Sequence, residues 1–237
     1  VGQQIRVIVS YQDGQGTQES MVSSISEVIM NVNDDPEGEV SIHGTLTQGE
    51  TLTADTGGLV DKDGFVGAFS YQWERSEDEG NSFTSIPAAN EETYQLTDID
   101  AGTILRVVVS YTDQHGTNET VISTPTTPIT NVNDAPQGSI TLSGSFAENQ
   151  TVQVNTSDLT DADGLGTFQY QWQRSSDGVE WNTISGAQSD SYTIGDADVG
   201  QQIRVIVSYQ DGQGTQESMV SSISEVIMNV NDDPEGE

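Results

Sequence analysis

The sequence predicts an all-β protein built from tandem two-sheet sandwich modules. Three observations carry that expectation. Segments recur at a spacing of about 100 residues, which is the mark of a modular array. Apolar residues alternate with polar ones over short runs, as half-buried strands require. Clusters of Gly, Asn and Asp bound each run and supply turn chemistry.

The repeat is read first. Residues 1–39 return unchanged at 199–237, 198 positions later. Inside that period lies a weaker repeat. NVNDDP at 31–36 returns as NVNDAP at 131–136 and NVNDDP at 229–234. DKDG at 61–64 returns as DADG at 161–164, YQWER at 71–75 as YQWQR at 170–174, and TDIDAG at 97–102 as GDADVG at 195–200. The unit is about 98–100 residues, a common domain size. Asn/Asp-rich turns meet a Pro-x-Gly step at Pro36, Pro136 and Pro234. The chain therefore divides into the C-terminal part of one module (1–36), a full module (37–136), and a full module with the start of a further linker (137–237). The pattern is that of a slice through a longer array, with no start Met or signal peptide from which targeting could be read.

Within a module the strands follow from period-2 alternation. Phe168, Tyr170 and Trp172 alternate with Gln169, Gln171 and Gln173. That places the aromatics on one buried face, and Tyr71 and Trp73 match them in the preceding module. Ile203, Val205, Val207 and Tyr209 alternate with Arg204, Ile206 and Ser208. Asp177-Gly178 reads as a type I′ hairpin turn, which needs φ > 0 at both central positions. Trp181, near the place of Phe83, reads as a half-buried hairpin residue. Arg6, Arg106 and Arg204 share one repeated strand position and are expected in local ion pairs. No long 3.6-residue stripe appears. Seven or so short strands in about 100 residues fit a two-sheet sandwich.

Composition narrows the function. The chain has 38 Asp and Glu against 6 Lys and Arg, a formal net charge of −32. Little is present to neutralise phosphates, so nucleic acid and anionic membrane surfaces are excluded as general partners. No apolar run approaches the ~20 residues of a membrane helix. The absence of Cys removes disulfides, thiolate zinc sites and Cys nucleophiles together. No G-x-S-x-G motif or His-paired nucleophile supports an enzyme. His43 and His115 align with Ser143 and Gln213, so neither belongs to the repeated design. Hydrophobic residues form only 32% of the chain, and like-charge repulsion opposes compaction.

At this point the residues carry a resemblance. Trp73 and Trp172 stand where immunoglobulin-like domains hold their buried strand-C Trp. The run 191–214 resembles the E–F–G region of such domains, without the strand-F Cys. The sequence N-V-N-D-A-P-x-G, followed by D-A-D-G and Y-Q-W, is similar to the immunoglobulin-like and cadherin-like repeats of large RTX-type bacterial biofilm adhesins. The resemblance implies tandem immunoglobulin-like β-sandwich modules joined by short calcium-binding linkers. It also implies an extracellular place on a bacterial cell surface and a non-enzymatic role as extender domains, with adjacent identical modules as partners. A carbohydrate- or self-binding adhesion module is the alternative.

That topology tests whether scattered carboxylates can meet. Between the second and third modules, the E–F loop supplies Asp98 and Asp100, and the linker supplies Asn131, Asn133 and Asp134. The next module supplies Asp161 and Asp163 from its B–C loop, and Asp211 with Glu217 from its F–G region. The preceding junction offers Asn31, Asn33, Asp34, Asp61, Asp63, Asp113 and Glu119. The last linker offers Asp196, Asp198, Asn231 and Asp232. Clustered carboxylates raise one another's pKa and resist compaction. Ca2+ answers this, because it takes 6–8 oxygens at about 2.3–2.6 Å from carboxylates and carbonyls. Mg2+ holds its waters and demands octahedral geometry, and Zn2+ lacks its preferred ligands. Neutrality suggests about two to three ions per junction. Two plainer readings compete: turn chemistry alone, and a generally acidic surface, which would spread carboxylates over strand faces. Residues 1–36 supply two strands without a sandwich, and strand exchange with a neighbouring chain is one expected use of them.

Overall fold

In a computed structural model, residues 1–231 can be described. They divide into two compact units, Val1–Leu96 with Thr103–Ile129, and Thr97–Gly102 with the chain from Thr130 onward. Each contains one complete antiparallel sandwich.

The first unit opens on a hairpin, β1 (Ile8–Gln12) with β2 (Gln18–Val22). Its sandwich has a three-stranded sheet of β3 (Ser41–His43), β4 (Thr51–Asp55) and β7 (Thr93–Gln95), in the order 3-4-7. The facing sheet holds β5 (Val66–Ser76), β6 (Thr84–Ser85), β8 (Ile104–Thr112) and β9 (Asn118–Ile122), in the order 6-5-8-9. The second unit repeats this arrangement. β10 (Thr141–Ser143), β11 (Thr151–Asn155) and β14 (Ser191–Thr193) form one sheet. β13 (Asn182–Thr183), β12 (Gln169–Ser175), β15 (Gln202–Gln210) and β16 (Gln216–Val220) form the other, in that order. The fold is the immunoglobulin-like sandwich that the sequence predicts.

Alternation builds the core. In β15, Ile203, Val205, Val207 and Tyr209 are buried, while the residues between them are half-buried. Trp73 and Trp172 are fully buried opposite Val107 and Val205. A buried indole needs a partner for its N–H. Trp73 Nε1–H donates to Glu91 O at 3.0 Å, and Trp172 Nε1–H to Ser189 O at 2.9 Å. The intervening Gln residues also serve the fold. Gln171 Nε2 donates to Trp172 O and Ile184 O, and Gln72 makes the matching bonds. Where the last strand of each sheet ends, Ser123 and Ser221 accept the buried amides of Val107 and Val205, both at 3.0 Å. These bonds replace sheet partners that would otherwise be missing.

One turn differs from expectation. Gly178 has φ +72°, whereas Asp177 does not have positive φ, so a type I′ turn does not form. The Asp177 carboxylate instead accepts from Ser175 Oγ and from the amides of Val179 and Glu180, all at 2.9 Å. The connection therefore runs through residues 176–181. Trp181 is half-buried, and its ring lies 4.2 Å beneath the Arg204 guanidinium. Arg204 donates to Gln173 Oε1, while Arg106 makes the expected ion pair with Glu74 at 2.7 Å.

The Pro-x-Gly steps position the linkers. Glu37 bridges to Val60 and Gln137 to Thr160. Gly138 has φ +97°, and a Cβ there would lie 1.9 Å from Asp158 O, so only Gly permits this approach.

Candidate metal centre

In the first unit, three segments converge on one pole: the linker, the loop between β4 and β5, and the turn between β8 and β9. Asp34 N donates to Asp63 Oδ2 at 2.8 Å, and Asn33 Nδ2 to Glu119 Oε1 at 2.8 Å. Asp61 Oδ1 accepts the Asp63 amide at 2.7 Å, and Asp61 Oδ2 accepts the Tyr111 hydroxyl at 2.6 Å. Asp113 Oδ1 accepts the His115 and Thr117 amides. Asn31 is half-buried where this linker begins.

The second unit repeats the arrangement. Asp134 N donates to Asp163 Oδ2 at 2.7 Å, and Asn133 Nδ2 to Glu217 Oε1 at 2.8 Å. Asp161 accepts the Asp163 amide and the Tyr209 hydroxyl. Asp211 Oδ1 accepts the Gln213 and Thr215 amides, and Gly212 N donates to Asp163 O. Asp98 and Asp100 occupy a 3-10 turn in the same compact unit. A Cβ on Gly102 would lie 4.0 Å from Gln213 Oε1, so that turn runs beside the β15–β16 turn.

The burial is unusual for so many carboxylates. Asp61, Asp63, Asp113, Asp163 and Asp211 are each less than 9% exposed. Charged groups this deep require partners. Yet Asp113 Oδ2, Asp211 Oδ2 and Asn131 Oδ1 are buried without a hydrogen-bond partner. The first two occupy one repeated position, so the orphan oxygen is part of the module.

The field at the pole is strongly negative. Burial pushes the Tyr111 hydroxyl well above its ordinary pKa, as do its bond to Asp61 and the charges of Asp61, Glu119 and Asp113. Burial, Asp161, Glu217 and Asp211 do the same at Tyr209. Burial also pushes the Asp113 carboxyl up, but the Thr117 and His115 amides outweigh it and hold the group below the usual carboxylate range. The anion is thus the form prepared here. The first unit adds basic side chains that the second does not have. Lys62 Nζ lies 3.6 Å from Asp34 and 2.9 Å from Glu37, and His115 Nε2 lies 3.8 Å from Asp63. Ala162 and Gln213 take these places in the second unit.

The orphan oxygens and the all-oxygen donor set suit a hard cation rather than Zn2+. In the present side-chain arrangement, no group of three or more His, Asp or Glu residues is drawn together closely enough to grip an ion, among the described residues. Several oxygens that could bind one instead accept backbone amides.

The far pole of the second unit places the remaining residues. Asp196 and Asp198 form a 3-10 turn. Asp196 is exposed. Asp198 is 1% exposed and accepts from Arg174 Nη1 at 3.1 Å, Tyr192 OH at 2.7 Å and Gly195 N at 3.0 Å. Asp100 likewise accepts the amide and hydroxyl of Thr97. Both buried aspartates brace their own turns. Asn231 is the last described residue, and Asp232 lies outside the described residues. Sequence reasoning missed Glu148, which is 2% exposed and accepts the Val230 amide at 3.2 Å. Its signal was an acid in the turn before β11, where the preceding module carries Gln48.

A family profile described as a domain of unknown function, DUF8696, matches residues 38–131 and 142–230. No curated protein matches the chain. Among solved structures, the FN1–FN3 domains of chicken CNTN1 are 15% identical with a TM-score of 0.36, over 82% of this chain and 66% of that one. A Ca2+-stabilised, ice-binding adhesin of an Antarctic bacterium is 13% identical with a TM-score of 0.31, over 96% and 57%. A 1.5-MDa bacterial ice-binding adhesin is 12% identical with a TM-score of 0.32, over 98% and 76%. The chain spans less than two thirds of the first two. At such scores none of them bears on what this chain does. No helix among the described residues is long and apolar enough to cross a membrane.

Proposed function

The chain belongs to the DUF8696 family, and we propose that it is a structural extender of an extracellular bacterial adhesin stalk, stiffened by Ca2+ at its module junctions. The observation that carries the metal reading is the repeated buried orphan, Asp113 Oδ2 and Asp211 Oδ2, each in a pole shared by linker, loop and turn. The stalk reading rests on tandem sandwiches joined by short linkers and on the resemblance of N-V-N-D-A-P-x-G to adhesin repeats.

The residues that would hold the ion are the linker set Asn131, Asn133 and Asp134 with Asp161, Asp163 and Asp211, and their counterparts Asn31, Asn33, Asp34, Asp61, Asp63 and Asp113. Asp98 and Asp100 would join the second set. Ca2+ would supply positive charge and a many-oxygen coordination shell. The chain's part is to bring a linker and two loops to one pole and bury their carboxylates there. Without the ion, mutual repulsion opposes a fixed linker. With it, linker and module share one set of bonds.

A ligand that binds only the native state adds RT ln(1 + [L]/Kd), about 1.4 kcal/mol per site at tenfold excess over Kd. The test is a calcium titration of this chain followed by calorimetry and small-angle scattering. A rise in Tm and in maximum dimension is expected, both reversed by EDTA. If neither changes, the calcium reading fails.

A further inference from the structure

The ends of β8 and β15 carry the same pair, Tyr111-x-Asp113 and Tyr209-x-Asp211. Alternation puts each Tyr in line with the core. It is the last inward residue after Leu105, Val107 and Val109, or after Ile203, Val205 and Val207. The Tyr111 ring packs edge-on against Phe65 and Phe69, with centroids 4.8 and 5.6 Å away, and the Tyr209 ring against Phe168 at 5.6 Å. A Phe ring would fill the same space. What the hydroxyl adds is one bond, and its acceptor is a carboxylate in both units. Tyr111 OH donates to Asp61 Oδ2 at 2.6 Å, and Tyr209 OH to Asp161 Oδ2. The indoles of Trp73 and Trp172, by contrast, use backbone carbonyls. Asp61 is buried and Asp161 half-buried. Desolvating a carboxylate costs more than one hydroxyl bond recovers, so stability alone does not account for the pairing.

The bond completes a closed set. Asp61 Oδ1 accepts the Asp63 amide, and the amide of Gln114, one residue beyond Asp113, donates to Asp63 O at 3.2 Å. In the second unit Asp161 Oδ1 accepts the Asp163 amide, and Gly212 N donates to Asp163 O, both at 2.9 Å. Both oxygens of the first aspartate are thus held, one by the core and one by its own loop. The orphan Oδ2 of Asp113 or Asp211 belongs to the residue two places beyond the Tyr. We propose that Tyr111 and Tyr209 are positioning residues of the candidate cation site. Each pins the D-x-D loop to the end of the strand that leads to the orphan oxygen, before any ion is bound. This rests on the calcium reading above and adds to it the device that sets the shape of the site.

Tyr209→Phe keeps the ring and removes the bond. Tyr192→Phe is the control, because Tyr192 OH donates to Asp198 Oδ2 at 2.7 Å, the same chemistry at the far pole of the same unit. In EDTA, amide exchange at Asp163 should quicken about tenfold in Tyr209→Phe, for one lost bond to a charged group. In Tyr192→Phe it should stay within about twofold, since distant sites act independently. The calcium midpoint, read by NMR at Gly212, should rise about three- to tenfold in Tyr209→Phe. In Tyr192→Phe it should again move by less than about twofold. A midpoint that rises equally in both variants would mark a general loss of stability and overturn the proposal. So would unchanged exchange at Asp163 in Tyr209→Phe. If the wild type takes no calcium, the calcium reading falls by itself; faster exchange at Asp163 in EDTA would still uphold the pin, and unchanged exchange would overturn it. Should Tyr209→Phe fail to fold, Tyr111→Phe repeats the comparison in the first unit, read at Asp63.

Discussion

The backbone amide of Asp134 donates to Asp163 Oδ2 at 2.7 Å, binding the linker to the loop that leads into β12. Asp34 and Asp63 repeat the bond at 2.8 Å. The bond needs only an acceptor, whereas a metal ligand needs charge. Asp163→Asn separates the two roles. It keeps an acceptor oxygen and relieves repulsion, so the Tm in EDTA should not fall. The calcium-dependent rise in Tm should shrink by the increment of one weakened site, about 1 kcal/mol. Calorimetry with and without calcium decides it, and an undiminished rise removes Asp163 from the ligand set.

Lys62 makes the two poles unequal. Its ammonium lies 3.6 Å from Asp34 and 2.9 Å from Glu37, while Ala162 stands in the second unit. A tethered cation competes with a free one. Lys62→Ala should therefore lower the calcium midpoint of the first pole, and Ala162→Lys should raise that of the second. Lys62 is well exposed and screened, so each change should be about two- to fivefold. Site-resolved calcium titration by NMR reads both. Midpoints that stay put would show that the lysine is electrostatically idle.

Much of this was legible because the sandwich makes period-2 patterns unambiguous. Phe168, Tyr170 and Trp172 alternate with Gln, so their face reads as core, and Trp172 is fully buried. The meeting of Asp134, Asp163 and Asp211 followed from topology, since linker and loops share one end of the sandwich. Features that no repeat advertises were hidden. Glu148 aligns with Gln48, so comparison of the modules hid it. The hydroxyls of Tyr111 and Tyr209 read as the ends of core residues, yet they bond to Asp61 and Asp161. Asp177-Gly178 looked like a two-residue turn because the Ser175 hydroxyl, which recruits the carboxylate, lies outside the dipeptide.

The corresponding turn of the first unit predicts an acid limb. Asp78 accepts the Ser82 hydroxyl at 2.6 Å, the Ser82 amide at 2.8 Å and the Ser76 hydroxyl at 2.7 Å. These bonds lower its pKa from 3.8 to about 2. A depressed carboxylate stabilises the fold above its unfolded pKa and loses that contribution as pH falls through the folded value. Stability from Asp78 is thus complete above about pH 4 and is lost toward pH 2. Asp78→Asn should be less stable than wild type at pH 5, and the gap should narrow steeply as pH falls toward 2. Thermal melts across that range test it, and a gap of constant size from pH 5 to pH 2 would assign the loss to packing.

The linker boundary yields a prediction that separates backbone strain from collision. Gly138 and Gly186 both have positive φ, +97° and +77°. A Cβ at Gly186 meets nothing within 4 Å, whereas one at Gly138 would lie 1.9 Å from Asp158 O. Gly186→Ala should cost only the dihedral penalty, about 1–2 kcal/mol. Gly138→Ala should cost that and more, because two backbone segments must part and the Gln137–Thr160 bridge lies beside the contact. Denaturant unfolding of the two variants provides the comparison. Amide exchange at Gln137 and Thr160 should quicken in Gly138→Ala alone. Equal losses in both variants would mean that the linker yields without resistance, and the close approach at Gly138 would then hold nothing in place.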